Sequence, residues 1–504
     1  MFGFHHTSAR LGAVLCILVM PAAGSLHAQQ APTELTLEDA ISLAKGASPG
    51  YLSTVNDQAA ANWQVREAYG QFLPSVNASI NGTWQEAGAQ RFGTIVFDDQ
   101  ITDWYFSGYT VGLGMTIDGN TIFGVPNARA SRRATEATIA AAEFTLESDV
   151  AFQYMAALRA QDGLEVAQRQ LERARQNQQI VQTRVSAGAV AGTEGRQAEV
   201  ELGRAEVRLI QAERDLRAAR LLLGERIGES LDPAVVLSSQ FEIFEPVFDL
   251  DELIATAVAG HPSLGAFRAR ESATRAAARQ ASTSQYLPRL SLFAQFSGQA
   301  QEALNQAYVL QQAEDRADSR INSCEFNNTL ENGLNGGLPN YTIQDCSAFA
   351  LTDADRAAAL AQNNAFPFDF TSIPARIGAQ ISLPIFTGFS RERQVSEANN
   401  RAEDAEYGRR AEELRLRTAV TGTYDNLVSA YQVEQAEERN RTLAEEQLQL
   451  QQRRYSLGAV GLLELLDAQA SLSTAEQAYL NAVYDFHYNL IALEAAVGQP
   501  LRPN

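Results

Sequence analysis

The side chains that could do chemistry in this chain are few and poorly placed for catalysis. The histidines are His5, His6, His27, His261 and His487, and the cysteines are Cys16, Cys324 and Cys346. No Cys/His spacing suits a metal, no glycine-rich loop would cradle a phosphate, and no nucleophile elbow is present. His261 precedes the helix-breaking Pro262 and reads as a cap or packing residue; His487 lies beside an apolar stripe and reads as a packed helix residue. The expectation is a protein with no enzyme activity, cofactor or metal. What remains is thiol oxidation and carboxylate charge. Asp and Glu number 60 against 40 Lys and Arg, a formal net charge of −20. No basic stripe is present, which excludes nucleic acid as a partner.

The N-terminus reads as an export signal over residues 1–28. Arg10 supplies the positive flank, Leu11 to Met20 is apolar, and cleavage is placed after Ala28. A membrane anchor is the alternative, but the apolar run is about half of what a spanning helix needs. Cys324 and Cys346 would survive processing. An even count in an exported chain points to one disulfide, with two free thiols as the alternative. Closing a loop of about twenty residues would contribute about 3 kcal/mol.

The elements that must position these groups come in two copies. Arg184-Val185-Ser186-Ala187-Gly188-Ala189-Val190 is matched by Arg454-Tyr455-Ser456-Leu457-Gly458-Ala459-Val460, 270 positions later. Gly188 and Gly458 can take the positive φ that reverses a chain at a helix end. Leu202, Leu209, Leu216 and Leu223 follow the first turn, and Leu472, Tyr479, Phe486 and Leu493 follow the second at the same offset. A seven-residue apolar period packs helices side by side. Upstream, Leu37-Glu38-Asp39-Ala40-Ile41 and Pro49 are mirrored by Leu250-Asp251-Glu252-Leu253-Ile254 and Pro262. Long helices are expected from Pro126 to about Val185 and from Ser390 to about Leu457, roughly 90 and 100 Å long.

Leu73-Pro74 and Leu287-Pro288 mark a change of period from helix to strand. Val76, Ala78, Ile80, Gly82 and Trp84 alternate with Ser75, Asn77, Ser79, Asn81 and Thr83. Tyr105 to Ile117, Leu290 to Phe296 and Ile373 to Leu383 alternate likewise, with Phe293 an exception. One apolar face on each of four strands suits a sheet between lipid and water; the alternative is an ordinary sandwich. The first strand pair would be joined by a short loop with Asp98, Asp99 and Asp103. The second would be joined by a long polar loop, 298–372, holding both cysteines and facing outside the cell.

Together the repeat, the Leu-Pro entries into strands, Leu383-Pro384-Ile385-Phe386-Thr387-Gly388 and the Tyr455-Ser456-Leu457-Gly458 turn resemble the TolC-like outer membrane efflux proteins. The resemblance covers essentially the whole mature chain. It implies an α+β membrane protein made of a duplicated unit. Four strands per chain would enter a trimeric twelve-stranded transmembrane β-barrel, and long coiled-coil helices would form an α-barrel below it. It implies a passive exit duct of a tripartite efflux pump or type I secretion system, in the outer membrane and extending into the periplasm. Its partners would be two further copies, outer membrane lipid, a periplasmic adaptor and an inner-membrane transporter. Glu464 and Asp467, three apart and so on one helical face, occupy the positions of an acidic ring at the periplasmic mouth. Tyr455 and Glu194 occupy the positions of a latch between helices. A second latch would join Thr193 to an arginine where this chain has Val460, with Arg454 or Arg196 as a replacement donor. Gly188 and Gly458 mark the helix-turn tips that would meet the adaptor.

The resulting organisation is a signal at 1–28, a first repeat at 29–228 with strands about 73–117 and a helical hairpin 126–228, and a linker at 229–249. The second repeat is 250–504, with strands about 287–386 and a hairpin 390–498. The rival architecture is a periplasmic long-helix spacer or adaptor without a barrel, which the alternating strands oppose. An ordinary porin is opposed by the long helices.

Overall fold

A computed structural model describes residues 34–502 except 89, 93–94, 98–101, 233–234, 335–337 and 339. The signal segment, Asp98 and Asp99 lie outside the described residues. Elements follow in the order β1 (Glu34–Leu35), α1 (Leu37–Ala47), α2 (Pro49–Gly70), β2 (Ser75–Gln85), β3 (Gln90–Phe92), β4 (Ile95–Phe97) and β5 (Trp104–Ile117). Next come α3 (Gly119–Ser186), α4 (Gly192–Ile227), β6 (Val236–Leu237), α5 (Leu250–Gly260), α6 (Pro262–Tyr286) and β7 (Arg289–Ala303). The chain ends with α7 (Gln306–Gly333), a 3-10 turn at Cys346–Phe349, α8 (Asp353–Asn363), β8 (Thr371–Ser382), α9 (Ser390–Ser456) and α10 (Leu462–Val497).

Local chemistry sets the helix starts. Thr36 and Asp39 close a reciprocal capping box on α1, and Asp249 accepts from the Asp251 and Glu252 amides at α5. The first long helix starts at Gly119 rather than Pro126. The Asp118 carboxylate accepts from the Thr121 amide at 3.0 Å and opens the helix there, so Pro126 sits inside it. Helix starts Pro49 and Pro262 are 213 positions apart, whereas starts Gly192 and Leu462 are 270 apart. The extra 57 residues fall between β7 and β8.

That insertion is not the irregular polar loop its Asn, Gly and Asp content suggests. β7 continues to Ala303, and α7, the 3-10 turn and α8 follow. The polar residues act as caps: Asn305 accepts from the Ala307 and Tyr308 amides, and Thr352 and Asp355 form a second capping box. Cys324 on α7 is bonded to Cys346, with S–S 2.02 Å. Asn328 holds the returning segment beside them, donating to the Gln344 carbonyl at 2.9 Å and accepting from its amide at 3.1 Å.

The chain divides into two compact units, and each draws segments from both halves. One comprises the chain up to Ser48, Asp149–Ile243 and Glu434–His487; the other comprises Pro49–Ser148, Phe244–Val433 and the chain from Tyr488. In the first, β1 pairs in parallel with β6, and the buried Tyr154 hydroxyl donates to the Leu35 carbonyl at 2.8 Å. His487 is buried there among Phe241, Tyr484 and Phe486. In the second, His261 caps α6 through Nδ1, which accepts from the Ser263 amide at 3.1 Å.

The second unit holds a four-stranded antiparallel sheet in the order β2-β5-β7-β8. Its register puts the apolar alternations on one face. Ile80, Tyr109 and Gly298 align across it, as do Ala78, Val111 and Phe296. Ile377 and Ile381 join that face opposite Ala294 and Leu290. The other face carries Asn77, Gly112 and Gln295 in one row. Two departures from simple alternation have local causes. Phe293 stands on the polar face because its ring lies over Gly378, where a Cβ would come within 2.5 Å of it. At Pro374 the ladder slips, since proline has no N–H to give. Ile373 therefore comes opposite Ser297, on the other face from Ile377.

The reduced chain is expected to migrate more slowly than the unreduced chain on denaturing gels. Cys324→Ser should show one mobility under both conditions; an unreduced wild type that comigrates with it would contradict the bridge.

Candidate functional site

The predicted site residues other than the two cysteines gather at two chain reversals of the first unit. α3 ends at Ser186 and α9 at Ser456, and both close with the same capping motif. The Gly188 amide donates to the Val185 carbonyl at 3.0 Å and the Ala189 amide to the Arg184 carbonyl at 2.9 Å. In the second copy Gly458 donates to Tyr455 and Ala459 to Arg454, both at 2.9 Å. This pair of bonds requires a left-handed residue between them. Gly188 and Gly458 supply it, with φ of +74° and +76°. A side chain there would cost about 1–2 kcal/mol.

A shared apolar core joins the two tips. Val181, Ala198, Leu448, Tyr455, Leu462, Leu465, Ala468 and Leu472 are buried in one cluster, with Val460 packed against it. The Tyr455 ring is 2% exposed, and its hydroxyl donates to Glu194 Oε2 at 3.3 Å. The Arg184 guanidinium lies over the ring at 4.5 Å and donates to the Tyr455 carbonyl. Tyr455 is thus held at both ends, by an acid on α4 and a cation on α3. Burial raises the phenol above its ordinary value, and the Glu194 charge adds to this; Arg184 acts against it.

Behind the tips, α3 and α10 run antiparallel with polar pairs set into their seam. Asn177 donates to Gln469 at 2.5 Å, Gln170 to Glu476 at 3.3 Å, and Tyr484 to Asp162 at 2.5 Å. Each step back along α3 matches an equal step forward along α10, so the pairs fix the register as a polar residue does in a coiled coil. Arg173 adds an ion pair to Glu476 at 2.5 Å. Burial raises Asp162 above the usual carboxylate value; its bond from Tyr484 opposes this, and the neighbouring Glu165 charge reinforces it.

The remaining predicted residues are placed differently. Thr193 is exposed and among the described residues makes no side-chain hydrogen bond, and Val460 is half-buried, packed against the apolar core. Arg454 and Arg196 are exposed as well. The cation at this junction is Arg184, which the sequence reading passed over. Its signal was present: Arg184 and Arg454 are equivalent, and only the former has an aromatic residue across from it. Glu464 and Asp467 are both exposed on the first turns of α10, and among the described residues neither makes an ion pair. The Glu464 carboxylate folds back beside Gly461, 2.9 Å from where a Cβ would stand. Acids suit this helix N-terminus electrostatically. Among the described residues no group of three or more His, Cys, Asp or Glu could hold a metal ion.

The model of the outer membrane efflux protein family matches residues 40–229 and 347–499. The chain belongs to that family. Solved structures share the fold of this efflux protein. The outer membrane protein VceC from Vibrio cholerae superposes with a TM-score of 0.63 at 17% identity, covering 92% of this chain and 96% of that one. The CmeC outer membrane channel of Campylobacter jejuni gives 0.65 at 15% identity, covering 92% and 85%. The open state of the MtrE outer membrane channel of Neisseria gonorrhoeae gives 0.64 at 18% identity, covering 92% and 89%. Among curated proteins no sequence matches this one.

Three stability measurements follow for the efflux protein. Gly188→Val and Gly458→Val should each lose about 1–2 kcal/mol in chemical denaturation; no loss would mean the tips are not held left-handed. The raised Tyr455 favours the folded state fully below the ordinary tyrosine value, and that contribution fades as pH rises through the folded value. Tyr455→Phe should therefore lack an alkaline loss of stability that the wild type shows. A raised Asp162 favours folding at acid pH, and the benefit disappears as pH rises above the ordinary carboxylate range. Asp162→Asn should accordingly be more stable than wild type at neutral pH, with the difference shrinking toward pH 4 or so.

Proposed function

We propose that this outer membrane efflux protein works as a passive exit duct made of three copies. Each copy contributes its four strands to a twelve-stranded barrel in the outer membrane. The observation that carries this reading is the open sheet. β2 and β8 are its two edges, each with one unpaired side, and both are exposed along nearly their whole length. Ile80 is 73% exposed and Ile377 80%, on the same apolar face. Unpaired edge amides and carbonyls are intolerable in hydrocarbon, so such a sheet must close on further copies of itself. Among the described residues no helix is long and apolar enough to cross a membrane. In this reading residues 1–28 are a cleaved export signal, 29–228 and 250–504 are the two repeats, and 229–249 is the linker between them.

The tips close the periplasmic end of the duct. Tyr455, held by Glu194 and Arg184, latches the second hairpin to the first; Thr193 lies beside Glu194 without adding a bond. Glu464 and Asp467, repeated three times about the axis, line the mouth with carboxylates and favour cations there. Gly188 and Gly458 expose the small-residue turns that a periplasmic adaptor would meet, above an inner-membrane transporter. Either an efflux pump or a type I secretion system could use this duct. The Cys324–Cys346 bridge lies in the insertion between β7 and β8, at the external end of the duct.

The decisive experiment is reconstitution. The purified protein should need detergent for extraction, run as a trimer, and form pores in planar bilayers. A water-soluble monomer without pores would sink the reading in favour of a periplasmic spacer. In the same bilayers Tyr455→Phe with Arg184→Ala should raise the open fraction. Glu464→Ala with Asp467→Ala should lower cation selectivity, and unchanged selectivity would remove the acidic ring from the model of the mouth.

A further inference from the structure

The insertion between β7 and β8 does not return to the sheet through open solvent. Its last residues, 363–370, lie across the apolar face of β5 and β7. Phe366 stacks on Tyr105 with ring centroids 4.9 Å apart, and Phe370 meets Tyr109 edge-on at 5.1 Å. Tyr105 and Tyr109 share the face of Val111, Leu113 and Met115.

The polar residues of that face fit the same segment. Ser107 interrupts the apolar series of β5, and its hydroxyl donates to the Pro367 carbonyl at 2.8 Å. Glu302 interrupts the series of β7, and its carboxylate accepts from the Phe366 amide at 3.3 Å. Asn363 pins the start of the segment, accepting from the Ala303 amide at 2.9 Å and donating to its carbonyl at 2.8 Å. The two polar side chains on the otherwise apolar face of β5 and β7 are thus explained by a strap that satisfies both. Phe368 is left pointing outward, 74% exposed, with Phe370 edge-on behind it at 6.4 Å.

From these contacts, and on the reading that the apolar face meets lipid, we infer that residues 363–370 are an aromatic strap seated in the outer-leaflet interface of the membrane. Height along the strand sets the level. Tyr109 and Tyr105 stand eight and twelve residues above Ile117. At about 3.4 Å per residue and a tilt of about 40°, these are roughly 20 and 30 Å up the wall. The apolar band of an outer membrane barrel is about 25 Å tall. The strap therefore brackets its upper boundary, where aromatic rings are favoured. A second copy is not the occupant of this surface. β5 and β7 are the two inner strands, and copies join through the edges β2 and β8.

The test uses the full chain in phosphatidylcholine vesicles with an environment-sensitive fluorophore on one introduced cysteine, the native disulfide kept intact. Phe368→Cys should lose emission when the lipid chains are brominated near the headgroup, and lose less with bromines near the chain ends. Val76→Cys, on the same face opposite Leu113 and so nearer the middle of the wall, should be quenched most by the deep bromines. Asp353→Cys on α8, whose side chain is fully exposed, should be unaffected. A quenched Val76 label with an unaffected Phe368 label would overturn the strap and leave the lipid-facing wall standing. So would a Phe368 label quenched most by the deepest bromines. If neither label responds, the wall and the strap fall together.

Discussion

Backbone hydrogen bonding at the borders of the four-stranded sheet is the constraint on which the rest of this molecule depends. Inside the sheet the ladder β2-β5-β7-β8 satisfies its own amides and carbonyls, and the register sorts side chains into an apolar and a polar face. At β2 and β8 it cannot, because each has a neighbour on one side only. In water such borders invite unwanted pairing; in a bilayer they are prohibitive. An outer membrane efflux protein has to resolve this by closure, which is why the functional unit is proposed as several copies rather than one.

The two halves share a backbone plan but not the side chains around it. Equivalent positions hold a constant offset through both long hairpins, and the two tips close with the same bonds around a left-handed glycine. The side chains around them are no longer equivalent. Arg184 and Glu194 of the first copy grip Tyr455 of the second. Their counterparts Arg454 and Glu464 have Val185 where the tyrosine would be, and both stay exposed. Tyr455 standing where the other copy has Val185 thus makes the junction asymmetric. The same backbone then presents one carboxylate as a half-buried link and its twin as a solvent-facing charge.

The insertion between β7 and β8 follows a different logic. At the corresponding place between β2 and β5 the described residues hold only the short β3–β4 pair, whereas the insertion's helices carry their own caps and a disulfide. Its connection to the sheet runs through ring contacts with Tyr105 and Tyr109 and through backbone groups that meet Ser107 and Glu302. These side chains look misplaced on an apolar face until the strap is laid over them.

By itself the sequence determined what depends on short-range periodicity and backbone preference. The alternating strands, the seven-residue stripes, the glycine tips and the repeat were all legible, because a period or a positive φ is imposed locally. Tyr455 and Glu194 were reachable only through resemblance to a family. The tertiary structure decided what depends on distant segments meeting. It put Arg184 rather than Arg454 or Arg196 against Tyr455, started α3 at the Asp118 cap, and moved Ile373 across the sheet at Pro374. It also folded the insertion back over the wall. Each of these rests on which group lies opposite across a seam or a ladder, and one-dimensional spacing carries no information about the opposite side.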